Sequence, residues 1–402
     1  MSPDGEAARN ETVTGKATRN EIVTGKAARE ETVTGKAARD EADTGGGDPR
    51  PVLFVTNHAP AFRTGAFAAL HEAEDVVFAL VGGGVRHGGA IATENVPFPV
   101  IRRSQRGVGR LAASGRFRAV IAGLSGRVAL PAAYLGARAV RVPFVLWATI
   151  WRHPRTAAHA LSYLPLRHIY RHADAIATYG PHVSAYVRSK GATAPVVEAP
   201  QSVDDAFWRA PASPIRHAPF QVMFAGRLVG EKGLPVLLRA WRASGLQAPE
   251  VALIMVGDGP FRARAVATGA MVPGGPLGPE QVRSYYAGSD VVVVPSVATR
   301  DFLEPWGLVV NEAFDQGVPV IATTAVGAAA GGLVRDGETG LVVPAGDHDA
   351  LAAALRRLHG DPQLRARLGA AGRAAVATGH SHADWAAGMR RALAAVGADR
   401  GC

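Results

Sequence analysis

Four consecutive valines, Val291 to Val294, closed by Pro295 and Ser296, constrain this chain more than any other stretch. An unbroken β-branched run reads as a strand covered on both faces, which is the mark of a parallel sheet. The next segment tightens the constraint. A polar loop leads to Glu304-Pro305-Trp306-Gly307, a helical pattern covers about 308–316, Gly317 stops it, and 318–322 begins another strand. Glu304 therefore falls just ahead of a helix start, and Glu312 in the first turns of that helix. Amides at a helix start lack intrahelical partners and attract anions. A site of this kind can hold a phosphate on the amides and sugar hydroxyls on the two carboxylates.

The same alternation runs through most of the chain. Strand patterns cover 52–56, 76–81, 119–122, 142–146, 175–178 and 196–198, with helical patterns at 66–72, 129–135 and 163–172. After Ala210-Pro211-Ala212-Ser213-Pro214, which reads as a linker, it restarts. Strands are expected at 221–224, 252–256, 291–294, 318–322 and 340–343, and helices at 234–243, 280–286, 308–316 and 350–358. Alanine-rich helices fill about 362–396. Strands alternating with helices predict open parallel sheets, here two doubly wound Rossmann-like domains with a ligand cleft at the carboxyl ends of their strands. The expected divisions are 49–212, 213–378, and a closing helix at 379–402 that packs back on the first domain.

Residues 5–44 repeat with a period of ten, and Gly45-Gly46-Gly47 follows. Each copy has too little apolar surface to offset the entropy of ordering, so 1–48 reads as a disordered tail and linker. A single cysteine, Cys402, excludes a disulfide framework and a cysteine metal site. A formal charge of +10 favours anionic ligands or surfaces, but no basic stripe with a docking motif points to nucleic acid. The polar N-terminus has no secretory signal, and Arg138 and Arg141 interrupt the best membrane-spanning candidate, 128–151. A cytoplasmic protein is expected, with peripheral membrane contact and oligomeric state left open.

Further chemistry gathers at strand ends. The strand at 221–224 leads into Gly226 and Arg227, then Glu231-Lys232-Gly233. Two fixed cations there can neutralise a diphosphate. Gly257-Asp258-Gly259-Pro260 and Gly82-Gly83-Gly84 are not dinucleotide fingerprints, because no third glycine opens a helix at the right offset. Asp347-His348-Asp349 has the form of a metal-binding triplet, yet it stands directly before a helix and reads as its N-cap. No metal and no cofactor are expected.

Taken together, these second-domain segments resemble the retaining glycosyltransferases of family 4, of the two-domain GT-B type. The likeness is carried by Gly226-Arg227-Leu228 with Glu231-Lys232-Gly233, by 256–260 and 285–296, by Glu304 to Glu312 (EPWGLVVNE), and by 317–323 and 336–344. The resemblance implies transfer of a sugar from a nucleotide-diphosphate donor, as co-substrate, to a small-molecule, lipid-linked or glycan acceptor. It implies that Glu304 contacts donor-sugar hydroxyls and Glu312 the ribose. Arg227 and Lys232, with the Leu308 and Val309 amides beside Gly307, would hold the diphosphate. The first domain matches less well: where the family has a glycine-rich turn after the first strand, this chain has only Gly65, with Arg63 as a compensating cation. A histidine near the reacting centre is also implied, and His153 is the candidate, with His159 and His58 as rivals. The acceptor would lie on 86–118 and 147–171. A sugar-nucleotide epimerase or hydrolase on the same scaffold, or a non-catalytic sugar-nucleotide-binding protein, are the alternative readings.

Overall fold

The computed structural model describes residues 48–82, 96–123 and 128–400. The ten-residue repeats, Gly83 and Gly84, the start of the expected acceptor loop from Arg86, and Cys402 lie outside the described residues.

The first domain is built from β1 (Val52–Thr56), α1 (Thr64–Glu74), β2 (Val76–Leu80), β3 (Val100–Arg102), α2 (Gly107–Ala112), β4 (Ala119–Gly123), α3 (Ala129–Ala139), β5 (Phe144–Ala148), α4 (Ala157–His172), β6 (Ala175–Thr178), α5 (Pro181–Ser189) and β7 (Val196–Glu198). Its seven strands form one sheet in the order β3-β2-β1-β4-β5-β6-β7, and every ladder is parallel. A short α6 (Asp205–Arg209) then leads into the second domain: β8 (Phe220–Ala225), α7 (Leu234–Ser244), β9 (Val251–Val256), α8 (Arg262–Ala267), α9 (Pro279–Ala287), β10 (Val291–Val294), α10 (Val309–Asp315), β11 (Val320–Thr323), α11 (Gly327–Ala330), β12 (Gly340–Val343), α12 (His348–Gly360), α13 (Pro362–Ala377) and α14 (His382–Ala394). Here five parallel strands run β12-β11-β10-β8-β9. β10 is central, and all four valines are buried, as a strand covered on both faces requires.

Proline sets two strand starts later than the apolar pattern suggests. Pro143 and Pro319 have no N–H for the ladder, so β5 and β11 begin after them, while both carbonyls still accept, from Val120 and Val292. The stretch expected as acceptor loop contains β3 and α2. Neither is visible in the pattern, because β3 is three residues long and α2, GVGRLA, is rich in glycine, a poor helix former.

The last helix, α14, packs on α1 and β7 of the first domain. Trp385 is fully buried against Phe54, Phe67 and Trp147. Glu74 on α1, also fully buried, accepts from Arg118 at 2.8 Å, from Arg390 at 2.9 Å and from the Arg400 N–H at 3.0 Å. The chain end is thus held on the first sheet by an aromatic cluster and a buried carboxylate. Among the described residues no helix is long and apolar enough to cross a membrane. The candidate span at 128–151 is α3 followed by β5.

Candidate active site

After β10 the chain leaves the sheet, and Glu304 returns beside Val326 in an isolated parallel bridge. The Gly327 N–H donates to the Glu304 carbonyl at 3.1 Å, which fixes this backbone without using the side chain. Glu304 is 6% exposed. Its Oε2 is ion-paired with Lys232 Nζ and accepts from Ser296 Oγ at 3.0 Å.

Lys232 reaches Glu304 because two backbones touch. Gly233 has φ 76°, and a Cβ there would lie 1.8 Å from the Pro295 carbonyl, so only glycine lets the turn after β8 meet the exit of β10. The Val297 N–H donates to the Glu231 carbonyl at 3.1 Å across the same junction. Gly226 follows β8 directly and donates to the Val256 carbonyl at 2.9 Å. Arg227 pairs with Glu231 at 3.1 Å, both partly exposed. A partly exposed pair of that kind contributes at most about 1 kcal/mol, so Arg227 is only weakly held.

At Gly307, φ 95° turns the chain into α10. Among the described residues nothing accepts from the Leu308 or Val309 N–H groups, whereas Val310 is already bonded to the Gly307 carbonyl at 3.0 Å. Glu312, one turn on, is half-buried, and its Oε2 accepts from the Tyr286 hydroxyl at 2.7 Å. Burial pushes the Glu312 carboxyl up to about 7, against the lowering effect of that hydroxyl, and Asp315 adds to the rise. Burial and the neighbouring carboxylate push the Tyr286 hydroxyl well above its ordinary range, so it remains a donor. Within this domain the structure therefore brings together Glu304, Lys232, Glu312 and the free amides of α10, with Arg227 on the adjoining turn. Asp347 caps α12, accepting from the Ala350 N–H at 2.9 Å.

The first domain meets this site through the loop after β5. Trp151 Nε1 donates to the Glu304 carbonyl at 3.0 Å, and Arg152 donates to the carbonyls of Thr299 and Phe302. Arg155 and Arg300 exchange two bonds, N–H to carbonyl at 2.8 Å and Nε to carbonyl at 2.7 Å. His153 lies between these contacts but turns into its own loop. Its Nε2 is 2.8 Å from the His159 carbonyl, which makes Nε2 the N–H and leaves a buried, unpartnered Nδ1 as acceptor. His159 is itself bound to the Thr156 hydroxyl at 2.6 Å. His58 follows β1.

Gly65 lies in α1, and the space its Cβ would fill holds the His382 imidazole, 2.3 Å from that point. What the missing side chain accommodates there is the returning end of the chain. Arg63, on the adjacent turn, lies 4.7 Å from the Trp147 ring and donates to the Tyr179 hydroxyl at 2.5 Å.

Other residues join the site without being singled out by their sequence. Ser296 and Tyr286 hold the two carboxylates. His182, after β6, binds the Pro305 carbonyl at 3.2 Å and tilts over Trp306, whose other neighbour is His380 of the chain end. Trp306 Nε1 donates to Asn311, and Asn311 donates to the Gln201 carbonyl at 3.2 Å. A histidine four residues past a strand end, as in Gly180-Pro181-His182, was the available signal.

Two parallel-sheet Rossmann-like domains in this arrangement define the GT-B fold, and comparison with solved structures agrees. HepE of Anabaena, crystallised in complex with UDP, superposes with a TM-score of 0.69 at 19% identity, covering 86% of this chain and 99% of that one. Sucrose-phosphate synthase of Thermosynechococcus elongatus gives 0.64 at 19% identity, with 85% and 98% covered. Residues 219–361 match the family described as Glycosyl transferases group 1. Over 163 residues the chain is 35% identical to the GDP-mannose-dependent alpha-(1-6)-phosphatidylinositol monomannoside mannosyltransferase of Mycolicibacterium smegmatis, which covers 38% of this chain and 42% of that protein. It is 34% identical over 173 residues to the D-inositol 3-phosphate glycosyltransferase of Streptomyces avermitilis, covering 37% and 34%. The chain thus spans at most about two-fifths of the length of these curated relatives. Family match and relatives agree that the second domain is similar to that of group 1 glycosyltransferases.

Proposed function

We propose that this chain is a retaining glycosyltransferase that moves a sugar from a nucleotide-diphosphate donor. The observation that carries the reading is the contact of Lys232 with Glu304, beside the unbonded Leu308 and Val309 amides and eight residues before Glu312. As the bond to the sugar breaks, negative charge grows on the departing diphosphate. Lys232, Arg227 and the α10 amides are cations and dipoles fixed in advance around that charge, which lowers the barrier without reorganisation. Glu304 then orients donor-sugar hydroxyls and Glu312 the ribose. The Glu304–Lys232 contact ties the carboxylate that faces the sugar to the cation that faces the leaving group. No metal enters this reading, because the charge on the diphosphate is met by side chains and amides.

The acceptor lies on the first domain, and the Trp151 and Arg152 contacts place the β5 loop against the donor loop. His153 is proposed to bind a sugar hydroxyl through Nδ1 after its loop shifts, since that atom is the one without a partner. The GDP-mannose-dependent relative directs the first trial toward GDP-mannose, and HepE, crystallised also with UDP-glucose, toward UDP-glucose. The purified chain is incubated with each donor and with inositol-phosphate and lipid-linked acceptors, and nucleotide release, product and anomeric configuration are measured. Product with the donor's configuration, unaffected by a chelator, is expected. Inversion, or activity only with added divalent metal, overturns the reading.

A further inference from the structure

Each carboxylate of the Glu304 and Glu312 pair has one oxygen held from inside the protein and one that takes no hydrogen bond from a described residue. On Glu304 the held atom is Oε2, with Ser296 and Lys232; on Glu312 it is also Oε2, with Tyr286. We propose that Ser296 and Tyr286 are positioning residues of the donor site, each pinning Oε2 of its glutamate so that Oε1 is presented to a donor hydroxyl. The inference rests on the donor-binding reading and extends it to two residues that touch no donor atom.

Both hydroxyls are built for this. Ser296 and Tyr286 are fully buried, and each donates its proton to the glutamate alone. Their own frames are tied down. Ser296 follows the central strand, and its carbonyl accepts from Thr323 Oγ1 at 2.5 Å, which links β10 to β11. The Tyr286 ring sits edge-on to Trp208 at 5.8 Å within the core. A free carboxylate turns about its last side-chain bond, and binding must stop that rotation. A buried donor on one oxygen stops it beforehand, so less ordering is left for the ligand to impose. Lys232 cannot serve alone on Glu304, because its ammonium is shared with the diphosphate. Ser296 carries no charge for the diphosphate to attract, and it stays on Oε2 when the lysine moves.

The two residues act on different parts of the donor, which gives a readout that a merely structural role would not move. GDP and GDP-mannose, and UDP and UDP-glucose, are titrated into the full chain by calorimetry. Tyr286→Phe is expected to weaken nucleotide and sugar nucleotide by the same factor, about tenfold for loss of one hydrogen bond to a charged group. Ser296→Ala is expected to weaken the sugar nucleotide by about tenfold and to leave the bare nucleotide within about twofold. Ser296→Cys, which leaves no cavity and weakens the donor, follows the same pattern and serves if Ser296→Ala fails to fold. The inference is overturned if either variant binds all ligands as the parent does, or if Ser296→Ala weakens both ligands of a pair equally. Glu304→Gln and Glu312→Gln are run alongside. If they too bind like the parent, or if the parent binds neither pair, the donor reading itself falls; if they lose affinity while the hydroxyl variants do not, only the positioning role falls.

Discussion

The two domains share an architecture and use it differently. In the second, the carboxyl ends of β8 and β10 carry charged side chains that meet: Lys232 on Glu304, with Glu312 eight residues on in the first turn of α10. In the first, the corresponding space beside β1 and β5 is filled by aromatic rings and by the returning α14, down to the His382 ring against Gly65. One domain carries the candidate donor site at its strand ends, and the other uses part of them to hold α14. The family match covers 219–361, within the second domain, while the fold likeness covers most of the chain.

That contrast puts the largest effect on stability at the chain end. Trp385 is fully buried among Phe54, Phe67 and Trp147. Trp385→Ala is expected to cost about 3–5 kcal/mol, the range for deleting a buried aromatic. Thermal unfolding measures it, and a loss under about 1 kcal/mol would show that α14 is not integral to the first domain. Glu74→Ala removes the carboxylate that pairs with the buried Arg118 and with Arg390 and belongs in the same range of about 3–5 kcal/mol.

In the second domain the largest effect falls on rate. Glu304→Gln keeps the shape but removes the charge that faces Lys232. Turnover with the proposed donor is expected to fall about 100- to 1000-fold, comparable to losing one preorganised electrostatic contact. Unchanged turnover would remove Glu304 from the site. Lys232→Ala should cost more than Arg227→Ala in nucleotide-diphosphate affinity. Lys232 is fixed against Glu304, whereas Arg227 is held only by a half-exposed pair with Glu231. Equal losses would place both cations on the diphosphate alike and break the asymmetry read here.

How much of this was legible divides along the same line. The β10 to α10 stretch could be read because each of its signals is local: a β-branched run, a proline stop, a glycine before and after a helix. Ser296 and Tyr286 could not. A serine after a proline and the second of two tyrosines acquire their role only when the sheet brings them to Glu304 and Glu312. Gly65 shows the opposite failure. A glycine after the first strand suggests room for a phosphate, but the neighbour filling that room comes from residue 382. β3 and α2 were hidden because three strand residues and a glycine-rich turn of helix carry almost no periodicity.

The smallest effect is also the most discriminating, because it sets protein stability and donor binding against each other at one carboxyl. Burial raises Glu312 from its ordinary value of 4.5 to about 7 in the folded chain. The folded state therefore holds a proton there that the unfolded chain has lost. The stability this gives is complete below about pH 4.5 and disappears as pH rises through about 7. Asp315, raised to about 6 from 3.8 by burial, acts in the same direction. His182 and His380 act oppositely, since burial lowers both and their stabilising neutral form is lost as pH falls. Comparing the parent with Glu312→Gln isolates the glutamate. Donor binding has the reverse sign, because a ribose hydroxyl needs an acceptor and the ionised carboxylate is the better one. A sugar nucleotide suits the test, since it lacks the terminal phosphate that titrates near pH 6. Its affinity for the parent should rise up to about tenfold between pH 6 and pH 8 as Glu312 ionises, and Glu312→Gln should flatten the profile. A parent profile already flat over that range would mean that the carboxyl is ionised throughout or does not touch the ribose. The midpoint separates these: Tyr286→Phe removes a donor that favours the ionised form, so it should move any rise to higher pH.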